Sequence, residues 1–153
     1  MSEPQASRHA WSEVPHEQLS AGVGRRAGVM SEPQASLHAW SEVPHEQLSA
    51  GVGRRAIHAE GVTLGRFDLG AGAVVAKHAH EQEQLTSVLE GRLRVWLGER
   101  EEQCFDVAAG EVLLTPPHLP HRVEALEPTL ALDVFTPRRQ DWIEGADAYL
   151  RDR

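Results

Sequence analysis

The chain has one cysteine in 153 residues, Cys104. No disulfide can form within it, and a cytoplasmic location is expected. Lysine is almost missing: Lys77 stands alone against 14 arginines, a bias of codon usage more than of function. Positive charge is in deficit, with a formal net charge of −8. That argues against nucleic acid as a partner, because phosphates attract basic surfaces, and provides no basic patch for an anionic membrane. No apolar run approaches the roughly 20 residues of a membrane-spanning helix. The first residues, "MSEPQASRHAW", are polar and lack the apolar stretch of a secretory signal. What remains is ordinary for a soluble globular chain: 41% hydrophobic and 25% charged residues, in a length that suits one domain with a core.

The sequence repeats itself. Residues 1–27 recur as 30–56, and only Arg8 and Leu37 differ. Two copies are too few for a solenoid, which needs about three units to bury a continuous face. The second copy opens with its own methionine, Met30, and runs directly into the body of the chain. The expected organisation is a duplicated leader over 1–29, outside the core, followed by a single domain over 30–153. His9, His16, His38 and His45 were copied with the repeat and read as surface histidines of a loop-rich leader.

From about Ala56 the pattern is one of short strands. "RLRVWLG" (92–98) alternates, with Leu93, Val95 and Leu97 on one face and Arg92, Arg94 and Trp96 on the other, the period of a half-buried strand. Further strands are expected over 73–77, 84–90, 111–115 and 130–136, with Gly- and Pro-containing turns between them. Many short strands at regular spacing predict an all-β sandwich or barrel. The last stretch, "RRQDWIEGADAYLRDR", predicts a short helix or an extended tail, weakened by Gly145.

His78 and His80 stand two apart, so on a strand both imidazoles face one way. Gln84 follows four residues later, and His121 follows a proline-rich turn. Three imidazoles and one amide oxygen would suit a divalent transition metal: Fe, Mn, Ni, Co or Zn. No cysteine lies near enough in sequence to offer thiolate. An amide brings no negative charge, so the ion stays a stronger Lewis acid than it would beside a carboxylate. By itself, a His-x-His pair is more often two surface histidines. The weight lies in the whole pattern.

That pattern resembles a family. "GAVVAKHAHEQEQLTSVLEG" (72–91) reads G-x5-H-x-H-x3-Q-x6-G, which is similar to the first cupin motif with Gln84 in the usual glutamate position. "GEVLLTPPHLPH" (110–121) reads G-x5-P-x-H-x2-H, similar to the second motif, with His118 in place of its glycine and Ala125 in place of its final asparagine. The resemblance implies a cupin jelly-roll barrel with a metal held inside by His78, His80, Gln84 and His121. It also implies a homodimer, since cupins of this size commonly pair through sheet faces or edges.

Within that family, "EQLSAGVGRRAI" (46–57), the glutamine, and "LDVFTPRRQDWI" (132–143) resemble the small pectin-degradation cupins. Those convert 4,5-unsaturated monouronates to linear keto sugars. Carried over by position, Asp133 and Arg139 would be catalytic, and Phe135 would line the substrate pocket. His118 is placed at the pocket mouth as a substrate-binding residue. The implied partner is a small, anionic substrate and the implied activity an isomerisation. Alternatives are a non-haem metal dioxygenase, a cyclase or tailoring enzyme of natural-product synthesis, and a non-catalytic ligand-binding cupin. In "LALDVFT", alternation places Asp133 on the same face as Phe135. A buried carboxylate is costly unless it is paired or functional. The bland alternative is an Asp133 that pairs with Arg139.

Overall fold

A computed structural model describes residues 32–151. The first copy of the repeat therefore lies outside the described residues, and the compact unit that carries the fold is Leu37–Arg153. Its strands are β1 (Glu46–Ser49), β2 (Val52–His58), β3 (Thr63–Leu69), β4 (Val74–His78) and β5 (Glu83–Glu90). They continue with β6 (Arg92–Leu97), β7 (Gln103–Ala108), β8 (Val112–Thr115), β9 (His121–Ala125) and β10 (Thr129–Thr136). One helical turn, α1 (Gln140–Ile143), and a 3-10 turn (Ala148–Leu150) follow.

The strands form two antiparallel sheets. Six are ordered β1-β2-β3-β10-β5-β8 and four are ordered β4-β9-β6-β7. This is the all-β architecture that the turn spacing and alternation predict, in the jelly-roll form that the family resemblance implies. Buried and partly exposed residues alternate along β3 and β10 without a break through Phe135. Leu48, Val52, Phe67, Leu69, Val88, Leu93, Val95, Leu97, Val107, Ala131, Phe135 and Trp142 meet between the sheets as one core. Burying each large apolar side chain is worth about 1.5–3 kcal/mol, which is what holds two short-stranded sheets together. Gly91 lets β5 turn directly into β6: its φ is +82°, and a Cβ there would run into the Pro128 carbonyl.

All five predicted strands exist, within two residues at either end. The strand region, however, starts at Glu46 and not near Ala56. The second copy of the repeat builds β1 and β2, the outer hairpin of the larger sheet. That copy, read as loop-rich leader, contains Gly51 and Gly53. Gly51 is the turn itself, at φ +74°. Gly53 sits inside β2, paired with Asp68 of β3. The C-terminal helix is short, as expected, a single α turn before Gly145. The tail after it is tied back to the hairpin. Fully buried Arg54 of β2 donates to Asp147 at 2.7 Å and to Glu46 at 3.0 Å, and Arg151 donates to Glu46 at 2.7 Å.

Candidate metal centre

His78 is the last residue of β4 and pairs with His121, the first of β9. His80 lies just beyond the end of β4, so the pair shares a strand end and not a strand. The chain turn nevertheless brings the rings together: centroids are 4.3 Å apart for His78 and His121, 5.1 Å for His80 and His121, and 5.7 Å for His78 and His80. One nitrogen from each ring falls within 4.8 Å of the others.

Each ring is oriented from behind. Nδ1 of His78 contacts the Ala76 carbonyl at 2.8 Å, Nδ1 of His80 the Gln82 carbonyl at 3.1 Å, and Nδ1 of His121 the Leu119 carbonyl at 2.8 Å. A carbonyl only accepts, so each Nδ1 holds the proton and each Nε2 presents a lone pair. This is how ligand histidines are usually fixed. Burial also keeps the rings neutral. His78 is pushed down to about 3 and His80 to about 4, mainly by loss of water; His121 is lowered for the same reason. Nε2 of His121 is buried and has no hydrogen-bond partner.

Gln84 sits on the neighbouring wall, in β5. Its Nε2 donates to Thr86 Oγ1 at 3.0 Å and to Asp133 Oδ2 at 3.1 Å. The amide oxygen therefore turns toward the histidines and stands 3.0 Å from His80 Nε2. The donor set fits a divalent cation: three uncharged imidazole nitrogens and an amide oxygen, none of them needing to lose a proton.

Asp133, on β10, is buried in the same cavity. Burial raises its carboxyl to about 7, against the opposing pull of the Thr86 hydroxyl, the Arg139 charge and the Gln84 amide. It does not pair with Arg139. That arginine, also buried, is engaged by Asp141, with Nε to Oδ1 at 3.0 Å and Nη2 to Oδ2 at 2.8 Å. Phe135 lies edge-on to His80, centroids 5.6 Å apart, and edge-on to Trp142 at 4.9 Å. His118 does not join the cavity lining. It is exposed, at φ +63°, and its N–H donates to the His80 carbonyl at 2.7 Å. The position a glycine holds in the motif is thus a left-handed backbone position, and what it does here is hold the His80 loop. Sequence reasoning missed Tyr149, whose ring is 5.6 Å from that of His78. It missed Asp141 and Thr86 as well. Alternation along β5 places Thr86 on the Gln84 face and could have found it; nothing local signals the other two.

The cavity holds about 50 Å³ of free space. Apolar side chains from both sheets line most of it, among them Leu48, Phe67, Val75, Leu93 and Val123, with His78, Gln84, His121, Asp133 and Arg139 as the polar part. Among the described residues, no helix is long and apolar enough to cross a membrane.

Residues 65–135 match the family model described as "Cupin domain". No curated protein matches the chain. Among solved structures, KdgF from Halomonas sp. superposes with a TM-score of 0.64 at 29% identity, over 70% of this chain and 99% of that one. An RmlC-like cupin from Shewanella frigidimarina gives 0.64 at 22% identity, over 71% of this chain and 96% of that one. Oxalate decarboxylase from Bacillus subtilis gives 0.60 at 23%, over 69% of this chain and 31% of that one. The last two are likenesses of fold. The family match makes residues 65–135 a cupin domain, and the two facing sheets with the histidine cluster between them agree with it.

Proposed function

We propose that this chain is a metal-dependent enzyme that isomerises a small unsaturated sugar acid to its linear keto form. The small pectin-degradation cupins that its sequence resembles carry out this ketonisation, and KdgF of Halomonas is a structural neighbour at 29% identity. One observation carries the metal part of the reading. His80 faces an acceptor at both ring nitrogens, the Gln82 carbonyl and the Gln84 amide oxygen. A neutral imidazole has one proton, so one of those contacts opposes two lone pairs. A cation beside Nε2 removes the conflict and also provides the partner that buried His121 Nε2 lacks.

In this reading His78, His80, Gln84 and His121 hold one divalent ion: Fe, Mn, Ni, Co or Zn. When bound, the ion supplies Lewis acidity toward a substrate oxygen. Asp133 is the proton carrier. Its carboxyl sits near 7, where both protonation states are populated at neutral pH. It takes a proton from a sugar oxygen and returns one to the enol carbon, so the isomerisation balances on one group. Gln84 holds Asp133 in place through its amide N–H. Phe135 and the apolar walls exclude water. The test is loss of the ultraviolet absorbance of a 4,5-unsaturated uronate under anaerobic conditions, against an Asp133→Asn control.

The apolar character of the walls supports a second reading, a tailoring enzyme acting on a less polar substrate. A screen of acidic sugars against apolar cyclic precursors separates the two. Turnover that needs oxygen would point instead to a dioxygenase.

A further inference from the structure

Arg139, which the resemblance makes catalytic, already grips a carboxylate. Arg139 presents two N–H groups to the two oxygens of Asp141, at 3.0 and 2.8 Å. This forked geometry is how arginine takes a ligand carboxylate. Arg139 also donates to the Tyr149 hydroxyl, which in turn donates to Asp141 Oδ2 at 2.7 Å. The guanidinium is 1% exposed, lies 4.3 Å from the Trp142 ring centre, and lines the cavity. Tyr149 touches both the Arg139–Asp141 pair and the histidine cluster, its ring centre 5.6 Å from that of His78.

The backbone around Tyr149 is anchored independently. Asp147 and Arg151, on either side of it, are bound to Arg54 and Glu46 of the β1–β2 hairpin. The Tyr149 side chain is therefore the part free to move, and its position is set by Asp141 and Arg139. The adjoining cavity, lined by the Arg139 and His78 that Tyr149 touches, has about 50 Å³ of free space, against about 300–1,000 Å³ for pockets that take small organic ligands.

We propose that Asp141 is a resident stand-in for the ligand's carboxylate: an organic acid takes Arg139 from Asp141, and this exchange releases Tyr149 to swing off the His78 side of the cavity. Replacing one carboxylate by another on the same fork keeps the buried guanidinium paired throughout. A neutral sugar of the same shape offers no such replacement and leaves the gate shut. Arg139 is then a selector for acids, and Asp141 and Tyr149 are positioning residues. The inference rests on the reading that the site takes a sugar acid.

Tyr149 is the one tyrosine of the chain, so ring-labelled tyrosine gives a single NMR signal. Zinc-loaded protein is titrated with acetate, with galacturonate and with galactose, at constant ionic strength set by chloride. Both acids should move the Tyr149 signal saturably and galactose should not. Asp141→Asn should already place the signal toward the ligand-shifted position. It should bind acetate about tenfold tighter by calorimetry, if Arg139 is free of Asp141 about a tenth of the time in the parent. Acetate held only by the metal would gain nothing from that variant and would overturn the proposal. So would acid binding without movement of the Tyr149 signal, and this titration stands on the unmodified protein even if the variant does not fold. A response to acetate without one to galacturonate upholds the exchange and rejects the uronate substrate. Turnover of an unsaturated uronate with a stationary Tyr149 signal does the reverse.

Discussion

Gln84 Oε1 lies 3.0 Å from His80 Nε2, while Gln84 Nε2 lies 3.1 Å from Asp133 Oδ2. One amide therefore joins the histidine cluster to the buried acid, and its two ends cannot be exchanged. Flipping it would forfeit the N–H groups given to Thr86 and Asp133, set an oxygen against a carboxylate, and turn an N–H toward the place a cation would take.

The first prediction concerns metal content. His80→Ala or His121→Ala should lower occupancy on the order of tenfold or more, because either removes one of three convergent nitrogens. Gln84→Glu should keep the metal and slow turnover, since a carboxylate offsets part of the ion's charge. Elemental analysis of protein purified without a metal-binding tag measures both. Full occupancy in both histidine variants would reject the site.

Stability of the metal-stripped protein should carry two opposed pH dependences. His78 and His80 are held near 3 and near 4, and His121 below its ordinary value. Unfolded, each titrates near 6.5. Between those values the unfolded chain binds more protons, so stability rises with pH up to about 6.5. Asp133 has the opposite sign. Its folded value of about 7 lies above the unfolded 3.8, so the folded state holds the extra proton and stability falls as pH rises through that window. Asp133→Asn removes only the second effect. The variant's advantage over its parent should grow from pH 4 to pH 7, by at most about 4 kcal/mol at 1.36 kcal/mol per pH unit. Denaturant unfolding at several pH values measures it, and a constant difference would mean that Asp133 does not hold its proton.

A third prediction follows from the outer face of the larger sheet. Register places Ile57, Leu64, Val134, Leu85 and Leu114 in one row across five strands. Leu85 is 41% exposed, Leu114 51% and nearby Val112 60%. With strands about 4.8 Å apart and about 3.3 Å per residue, four strands of this face project roughly 500 Å². Its corrugated surface comes close to the ~800 Å² per partner of a stable interface. We expect a homodimer joined face to face here. Leu85→Glu with Leu114→Glu should give monomers by sedimentation, with the metal retained. A monomeric parent at micromolar concentration would reject the interface.

The repeat bears on the same experiment. Residues 17–27 duplicate 46–56, the sequence that forms β1 and β2. Deletion of 1–29 should leave thermal stability and metal content unchanged. A loss of either would make the first copy structural. A smaller assembly would show that it docks on a neighbouring chain in place of the native hairpin.

The histidine cluster was legible because imidazoles at a strand end and after a fixed turn keep their spacing in sequence. Asp133 and Phe135 were legible through alternation along β10. Asp141 and Tyr149 were not, because their roles arise only when the tail folds back onto Arg139, a contact that no local period encodes. The β1–β2 hairpin was hidden for another reason. Its near-exact duplication resembled leader, whereas pairing with β3 decides its structure.

The final prediction tests the chemistry. Asp133→Asn preserves shape but cannot accept a proton. A general acid–base group contributes typically about 10²–10⁴-fold, so kcat on an unsaturated uronate should fall within that range while metal content holds. Thr86→Val gives a graded control. The Thr86 hydroxyl holds the Asp133 carboxyl down against burial, so its loss should raise that pKa further and shift the acidic limb of the pH–rate profile upward, with metal content unchanged. A purely structural defect would lower activity at every pH without that shift. If Asp133→Asn retains full kcat, the proton carrier is another group, and the isomerase mechanism on this residue fails.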